Sequence, residues 1–464
     1  MKPSVLAVLS LLALACSDAR PDPPNIIYIL ADDLGYGDLG VYGQMHFATP
    51  NIDRLAGEGM RFTAHYSGST VCAPSRDALL TGRHTGHTFV RGNKEIEPEG
   101  QHPLPKDTVT VAELLQKAGY RTGAIGKWGL GAPGTEGLPS RQGFDLFYGY
   151  NCQRQAHTYY PTHLWRNEDR VELEANEGGQ RGLYSHDLLT DEALRFIRDR
   201  HERNDGPFFL FLPYAIPHAA IDVPEDSMGP YMSRFPEVPF PGRGRYIAQS
   251  HPKAAFAGMI ERLDNDVGRI TALVDELGLG PNTLLFFSSD NGPHLEGGAD
   301  PDYFDSNGPF RGYKRDLYDG GIRVPLIARW TGTVTPGSVS DHISAFWDVL
   351  PTLVDVATGE APTGGDGISF LPELLGEPQR EHDFLYWEFH EQGGKQAIRL
   401  NGFKGVRTGL DEDRNAPIEL YDIENDPGET SDISSAHADV VTEMARILSE
   451  VRTPSADFPF PLDP

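Results

Sequence analysis

A cysteine, a proline and an arginine lie close together in residues 71–83, and their types and spacing suit chemistry on an anion. Pro74 fixes φ and removes a backbone donor, while residues 77–80 suit the first turns of a helix. Cys72 is therefore expected at a helix N-terminus, where free N–H groups and the helix dipole favour negative charge. Arg76 adds a fixed positive charge with bidentate geometry. The segment predicts a nucleophile that faces an anionic substrate.

Two pairs of oxygen-bearing side chains follow apolar runs of strand length. They are Asp32 with Asp33 after the run 25–30, and Asp290 with Asn291 after the run 283–288. Either pair alone could equally be a helix cap or a solvated turn. Because the sheets of α/β proteins bind ligands at the carboxyl ends of their strands, the two pairs together favour a shared site. Four oxygen ligands suit Ca²⁺ better than Zn²⁺, which prefers nitrogen and sulfur.

The composition of the chain limits its partners. It has 464 residues, of which 39% are apolar, and a formal net charge of −27. This length allows one large domain or two unequal ones. The negative charge argues against sequence-independent binding to nucleic acid or to an anionic membrane surface. An anionic substrate would be repelled at long range, so its site must be a locally cationic cleft.

The first residues have the pattern of a secretory signal peptide. Residues 1–15 carry one lysine and an apolar run that ends in small residues, and the run is too short to span a membrane. Either an ordinary signal peptidase cuts before Cys16, or Cys16 becomes the lipid-anchored first residue of the mature protein. Residues 16–24 are expected to form a polar, proline-rich tether. The pattern predicts an exported protein that is periplasmic, at the cell surface or secreted. If it is attached to a membrane, the attachment is expected to be a lipid on Cys16.

The cysteine segment resembles the signature of the type I sulfatases of the alkaline phosphatase superfamily, in which C-x-P-S-R is followed by x-x-L-L-T-G-R. In that family a dedicated maturation enzyme oxidises the cysteine to formylglycine. The resemblance implies this modification for Cys72. The alternative is that Cys72 is a buried small hydrophobic residue, the usual fate of an unpaired cysteine.

Further matches extend the resemblance from residue 25 to the end of the chain. G-K-W-G-L-G at residues 126–131 is similar to the family's G-K-W-H-L-G, which implies that Lys127 binds sulfate and that Gly129 replaces a histidine that helps release sulfate. His218, just beyond a buried strand, matches the histidine that contacts the bridging ester oxygen, so it is the expected general acid. Lys314 matches a second sulfate-binding lysine.

The resemblance also implies a mechanism and a metal site. One oxygen of the hydrated formylglycine, activated by calcium or sometimes magnesium, attacks sulfur in line, and the second hydroxyl later expels sulfate. Arg76, Lys127 and Lys314 neutralise the sulfuryl oxygens while His218 protonates the leaving alcohol. Gly129 leaves open which group is the base in the last step. The expected metal ligands are Asp32, Asp33, Cys72 as formylglycine, Asp290 and Asn291.

A substrate pocket is expected around an aromatic and polar loop, residues 142–165, which suits stacking of a sugar or an aryl group. The candidate substrate-binding residues are Arg154, His157, Arg311 and His390. His157 is the candidate to compensate partly for Gly129, and the alternative is a structural histidine in a packed loop. Trp387, Glu388, His390 and Lys395 either close the pocket or pack a domain interface.

The pattern of elements predicts an α/β fold in two parts. A large N-terminal domain, residues 25–367, is expected to have a mostly parallel central sheet flanked by helices. A small α+β domain, residues 368–464, is expected to have a short antiparallel sheet and a helix. Asp107 or Thr108 is the expected cap of one helix in the large domain.

These observations predict an exported sulfatase that hydrolyses sulfate esters, with a sulfated carbohydrate as the main substrate and small aryl sulfates as further ones. One alternative is a phosphodiesterase or phosphonate hydrolase on the same scaffold. Another, motivated by Gly129, is a protein that binds sulfated sugars without hydrolysing them.

Overall fold

The structure is a computed structural model that describes residues 23–463. The predicted signal peptide, residues 1–15, and Cys16 lie outside the described residues, as does most of the predicted tether, residues 16–24.

Three sheets account for the strands of the described chain. Their bounds are β1 Asn25–Ala31, β2 Met60–Phe62, β3 His65–Tyr66, β4 Arg121–Lys127, β5 Leu146–Tyr150, β6 His163–Arg166, β7 Asp169–Glu172, β8 Phe208–Pro213, β9 Thr283–Ser289, β10 Leu326–Trp330, β11 Ser338–Ser340, β12 Ser344–Ala345, β13 Leu385–Phe389, β14 Lys395–Leu400, β15 Phe403–Arg407 and β16 Glu419–Asp422. The largest sheet has ten strands in the order β11-β2-β10-β9-β1-β8-β4-β5-β6-β7.

The centre of the large sheet is parallel. Strand β1 pairs in parallel with β8 and β9, and β4 pairs in parallel with β8 and β5, whereas β10, β6 and β7 run antiparallel to their neighbours. Strands β1, β8 and β9 are buried along their whole length, which explains their continuous apolar sequences. In β1, Ile27 and Ile29 face one hydrophobic core while Ile26 and Tyr28 face another. The predicted fold class is confirmed.

Helices cover both faces of this sheet. Their bounds are α1 Pro50–Gly57, α2 Cys72–Thr81, α3 Val111–Lys117, α4 Ser185–Arg203, α5 Glu225–Met228, α6 Pro252–Glu276, α7 Pro301–Phe304, α8 Asp319–Ile322, α9 Val349–Thr358, α10 Leu371–Leu375 and α11 Ala438–Glu450. Within residues 23–463 none of them combines the length and the apolar character that a membrane crossing requires.

The expected cap of α3 was wrong. Thr110, rather than Asp107 or Thr108, caps the helix. Its side-chain oxygen accepts a hydrogen bond from the Glu113 N–H, and the Glu113 carboxylate accepts one from the Thr110 N–H. This reciprocal pair satisfies two N–H groups at the helix start. The helix therefore begins at Val111, and the residues before it remain a turn.

The small C-terminal sheet, β13-β14-β15-β16, is antiparallel throughout and packs against α11. A buried ionic cluster joins it to the large domain. The Lys404 Nζ on β15 lies 2.6 Å from an oxygen of Asp319 on α8 and 3.0 Å from an oxygen of Glu429. All three side chains are fully buried. The predicted boundary near residue 367 stays a prediction.

We expect Lys404→Met to lower the free energy of unfolding by about 3–5 kcal/mol, because two buried carboxylates would lose their cation. Denaturant titration followed by fluorescence measures the change. Arg446→Met is the matched control, since Arg446 makes only exposed ion pairs on α11 and its loss is expected to leave the free energy of unfolding almost unchanged. Equal effects of the two substitutions would contradict a stabilising role for the buried cluster.

Candidate active site

Polar residues from several strand ends meet at the carboxyl edge of the parallel sheet. Asp32 and Asp33 directly follow β1, and Asp290 and Asn291 directly follow β9, its neighbour. All four side chains are fully buried. The two pairs of oxygen-bearing side chains that the sequence predicted to share a site are in contact, and we call these four residues the carboxylate cluster.

The backbone at Asp33 holds this cluster together. Asp33 has a φ of 64°, in the left-handed region that residues other than glycine seldom adopt. In this conformation its N–H donates to Asp290 Oδ1 at 3.0 Å, and the next N–H, of Leu34, donates to Ser289 Oγ at 2.9 Å. The ends of β1 and β9 are thus joined by hydrogen bonds that stabilise the unusual backbone.

Helix α2 brings the cysteine and the arginine to the cluster. Cys72 is its first helical residue, as predicted, and its thiol donates to Asp32 Oδ1 at 3.3 Å. Arg76, one turn later, donates to Asp290 Oδ2 from Nε at 3.1 Å and from Nη2 at 2.8 Å. It also donates from Nη1 to the Lys127 carbonyl. A single buried guanidinium therefore connects α2, β4 and β9.

Two buried lysines complete the cationic side of the site. Lys127, the last residue of β4, places Nζ 2.5 Å from Asp32 Oδ2 and 3.4 Å from Cys72 Sγ. Lys314 Nζ lies 2.8 Å from Asp33 Oδ2. With Arg76 they form the local cationic cleft that an anionic substrate requires in a protein with a net charge of −27.

These charges set the protonation of the cysteine and its partner. Burial alone raises the pKa of Asp32, but Lys127, Arg76 and Lys314 together hold that pKa at about 2. Burial, and then the Asp32 carboxylate, raise the pKa of the Cys72 thiol far above its usual range. An unmodified Cys72 is therefore a neutral thiol at physiological pH, and a thiol is a weak nucleophile.

The carboxylate cluster fits a hard divalent cation. The Asn291 amide donates to Asp33 Oδ1 at 2.7 Å, while Asn291 Oδ1 is buried and has no hydrogen-bond partner within residues 23–463. Burial, and then Asp32, raise the pKa of Asp290 to about 6. An unpaired carbonyl oxygen beside three crowded carboxylates is the donor set that Ca²⁺ prefers. Mg²⁺ uses the same oxygen donors.

The predicted general acid also lies in this site. His218 Nε2 is 3.4 Å from Asp33 Oδ2, and its ring stacks on His157 with centroids 4.9 Å apart and planes 11° apart. Burial, and then Lys314 and Lys127, lower the pKa of His218 well below its usual range. Burial and the same two lysines lower the pKa of His157 to about 3. Both imidazoles are neutral in this state of the site.

The other candidate pocket residues have partners outside the carboxylate cluster. Arg154 pairs with Glu97, with Nη1 2.5 Å from Oε1, and more weakly with Glu95. Arg311 stacks on Tyr318 and donates to the Tyr421 hydroxyl at 3.0 Å. Roles of Arg154 and Arg311 toward a substrate stay predictions.

His390 lies at the contact between the two domains. Its Nε2 is 2.8 Å from an oxygen of Glu388, a buried carboxylate that also binds Arg91 and Arg452. The neighbouring Trp387 Nε1 donates to the Ser67 carbonyl at 2.9 Å, and Lys395 Nζ donates to the Arg315 carbonyl at 2.7 Å. These contacts favour the interface interpretation of the segment over pocket closure. A substrate-binding role of His390 stays a prediction.

Three residues near the site were not among the candidates from the sequence, namely His294, Glu296 and Gln153. The His294 ring lies 5.7 Å from the His218 ring, and its Nδ1 is 3.4 Å from Glu296, which in turn pairs with Arg315. The third is Gln153, whose buried amide lies against Gly129. His294 could have been predicted to lie near the site because it is only three residues after Asn291. The position of Gln153 could not, because it depends on the path of a loop.

Comparison with known families agrees with this site. The family model described as Sulfatase matches residues 24–359, and one described as N-sulphoglucosamine sulphohydrolase, C-terminal, matches residues 308–454. The chain belongs to the sulfatase family. It is 33% identical to the N-acetylgalactosamine-6-sulfatase of Rattus norvegicus, over 98% of this chain and 84% of that protein. It is also 33% identical to human arylsulfatase A, over 95% of this chain and 89% of that protein. The protein is a sulfuric ester hydrolase.

Solved structures show the same architecture. The structure of Ps i-CgsB in complex with k-i-k-neocarrahexaose aligns with a TM-score of 0.80 and 28% identity, over 95% of this chain and 94% of that chain. The phosphonate monoester hydrolase of Agrobacterium radiobacter aligns with a TM-score of 0.64 and 21% identity, over 95% and 100%. The second likeness concerns the fold alone.

We expect Arg76→Lys to lower kcat/KM for a sulfate ester by about 100-fold or more, since an ammonium cannot reproduce the bidentate contact with Asp290 or stabilise the transition state as well. Release of inorganic sulfate measures the rate. Arg141→Lys is the matched control, because Arg141 makes surface ion pairs with Glu136 and Glu168 and its loss is expected to leave the rate unchanged. A rate within threefold of wild type for Arg76→Lys would contradict this role.

Proposed function

We propose that this protein is an exported, calcium-dependent sulfatase that hydrolyses a sulfated carbohydrate and uses a formylglycine made from Cys72. The observation that carries the proposal is the position of Cys72 at the start of α2. Its sulfur lies 3.3 Å from Asp32 and 3.4 Å from Lys127, so the residue at position 72 adjoins both the carboxylate cluster and the cations.

The protonation of the thiol supports modification of Cys72. A neutral, buried thiol could not begin the reaction, and a sulfated thiol would lack a second hydroxyl to expel sulfate. Formylglycine, when present as its hydrate, supplies an oxygen nucleophile together with that second hydroxyl. The conversion requires a maturation enzyme, which is a further proposed partner of this chain.

The buried cations are proposed to bind the sulfate group. Arg76, Lys127 and Lys314 approach the cluster from three different elements, so they can surround a tetrahedral anion rather than contact one side of it. In a buried site such preorganised charges stabilise negative charge that develops in the transition state. Calcium, when bound to Asp32, Asp33, Asp290 and Asn291, would supply positive charge to the carboxylates and polarise an oxygen at position 72.

His218 is proposed to protonate the leaving alcohol. Its Nε2 points into the cluster at Asp33, and its backbone carbonyl is held by the Tyr159 hydroxyl at 2.6 Å. Burial, and then Lys314 and Lys127, lower the pKa of His218. A sulfate ester bound to these lysines offsets their charge, so substrate binding favours the protonated imidazole that a general acid requires.

A sulfated carbohydrate is the proposed substrate class. The names of the relatives include an N-acetylgalactosamine-6-sulfatase, and a similar solved structure holds k-i-k-neocarrahexaose. The rim next to His157 includes Tyr246, whose ring lies 5.5 Å from the histidine ring and is suited to stacking on a sugar. Small aryl sulfates are proposed as further substrates, in line with the similarity to arylsulfatase A.

The proposed export rests on the sequence of residues 1–15, which has the pattern of a signal peptide. We propose a periplasmic, surface or secreted location, with lipid attachment at Cys16 as the alternative to simple cleavage. Carbohydrate polymers too large to cross a membrane are accessible to an enzyme in these locations.

A substrate panel tests the proposed function. The fully matured protein with calcium is given sulfated sugars, 4-nitrophenyl sulfate and the phosphodiester bis(4-nitrophenyl) phosphate, and released sulfate or 4-nitrophenol is measured. We expect release from at least one sulfated sugar and faster cleavage of the aryl sulfate than of the aryl phosphate. Preference for phosphate would favour the phosphodiesterase or phosphonate hydrolase alternative, for which the fold likeness is the supporting observation. Tight binding of sulfated sugar without release would favour the binding-protein alternative.

Removal of the metal gives a separate prediction. A chelator is expected to abolish sulfate release and to lower the thermal unfolding temperature, because the three buried carboxylates then lose a stabilising charge, and added calcium is expected to restore both.

Asn291→Ala removes the unpaired carbonyl oxygen and is expected to weaken calcium binding by about 10- to 100-fold, measured by calorimetry. Calcium binding and activity unaffected by this change would contradict the assigned ligand set.

A further inference from the structure

We propose that Gln153 binds the sulfate group of the substrate through its side-chain amide, in a space that only a glycine at position 129 leaves open. The inference rests on the proposed function and adds a substrate-binding residue to it. Arg154 and His157 of the loop 151–157 are candidates from the sequence, and Gln153 is an additional one.

The pairing of β4 and β5 continues beyond the ends of the strands. The Trp128 N–H donates to the Tyr150 carbonyl at 2.9 Å, and the Gly129 N–H donates to the Asn151 carbonyl at 3.3 Å. Gly129 thus lies two residues beyond the sulfate-binding Lys127 and beside the start of the loop that carries Gln153. The loop and the lysine share the carboxyl edge of the sheet.

Gly129 and Gln153 fit together closely. A Cβ atom at position 129 would lie 2.7 Å from Gln153 Nε2 and 2.9 Å from Gln153 Cγ. Gly129 also has a φ of 83°, which side chains other than glycine rarely tolerate. The glutamine side chain therefore occupies the space into which a side chain at position 129 would project.

The loop that carries Gln153 also contacts the proposed general acid, His218, through His157. Residues 152–157 form a single helical turn, in which the Ala156 N–H donates to the Cys152 carbonyl at 3.3 Å. Gln153 lies near the start of this turn and His157 at its end, where residues 155–157 form a 3-10 helix. His157 stacks on His218, which contacts Asp33. The short turn that includes Gln153 therefore contacts the catalytic centre through His157.

The amide of Gln153 lacks an acceptor. Only 4% of the residue is exposed, and within the part of the chain that the structure describes Nε2 has no hydrogen-bond partner. A buried donor without a partner costs free energy. Lys127 ends β4 two residues before Gly129, the residue against which this amide packs. We therefore assign an oxygen of a sulfate group held by Lys127 as the acceptor for this amide.

Binding of inorganic sulfate tests the proposal without requiring turnover. Titration calorimetry is done on matured, calcium-loaded protein, and we expect Gln153→Met to raise the Kd for sulfate by about 10- to 100-fold, the effect of losing one hydrogen bond to a charged group. Gln153→Glu, which keeps the shape but adds negative charge, is expected to weaken binding further. Gln155→Met is the matched control, because the Gln155 amide already donates to the His163 carbonyl at 3.0 Å.

A coupled variant separates this role from a purely structural one. Gly129→Ala is expected to weaken sulfate binding both because the added methyl displaces the amide and because of backbone strain at a φ of 83°. In a Gln153→Ala background only the strain remains, so the same substitution is expected to weaken binding less. Unfolding temperatures without sulfate report any damage to the fold. Sulfate binding within twofold of wild type in Gln153→Met and Gln153→Glu would overturn the inference. Wild-type protein that binds sulfate normally but releases none from esters would instead contradict the proposed function.

Discussion

The site depends on the burial of three carboxylates against three cations at the end of a parallel sheet. Burying either set alone would cost far more free energy than folding provides, so each is stable only with the other. Arg76 makes the connection most directly, since it contacts Asp290 and the Lys127 carbonyl from helix α2. These contacts of Arg76 fix the position of helix α2, and they therefore fix the position of Cys72, the first residue of that helix.

This arrangement also explains how an acidic protein can bind an acidic substrate. The net charge of −27 is spread over the chain, but the positive charges of Arg76, Lys127 and Lys314 converge on one small volume. A buried site of low effective dielectric strengthens their attraction to an anion. Outside that volume the same protein repels anions, so binding depends on contact within the site rather than on attraction at long range.

Much of this could be predicted from the sequence, and the rest depends on the paths of loops. Strands β1, β8 and β9 are continuous apolar runs because they are buried on both faces. The polar pairs after β1 and β9 were predicted as metal ligands because the carboxyl ends of such strands meet at one edge of the sheet. The cap of α3 was misassigned because several residues before that helix can cap it, and only geometry shows that Thr110 does. The contact of Arg311 with Tyr421 depends on tertiary structure in the same way, because it joins two segments that no local pattern connects, while the role of Arg311 toward a substrate stays a prediction.

The most direct test of the account is the relation between modification of position 72 and the rate of sulfate release. Protein is produced with different amounts of a maturation enzyme, the fraction of formylglycine is measured by peptide mass spectrometry, and the rate on one sulfate ester is measured for each preparation. The account predicts a rate proportional to the formylglycine fraction that extrapolates to zero for unmodified Cys72 and for Cys72→Ala. Equal rates in modified and unmodified preparations would contradict it.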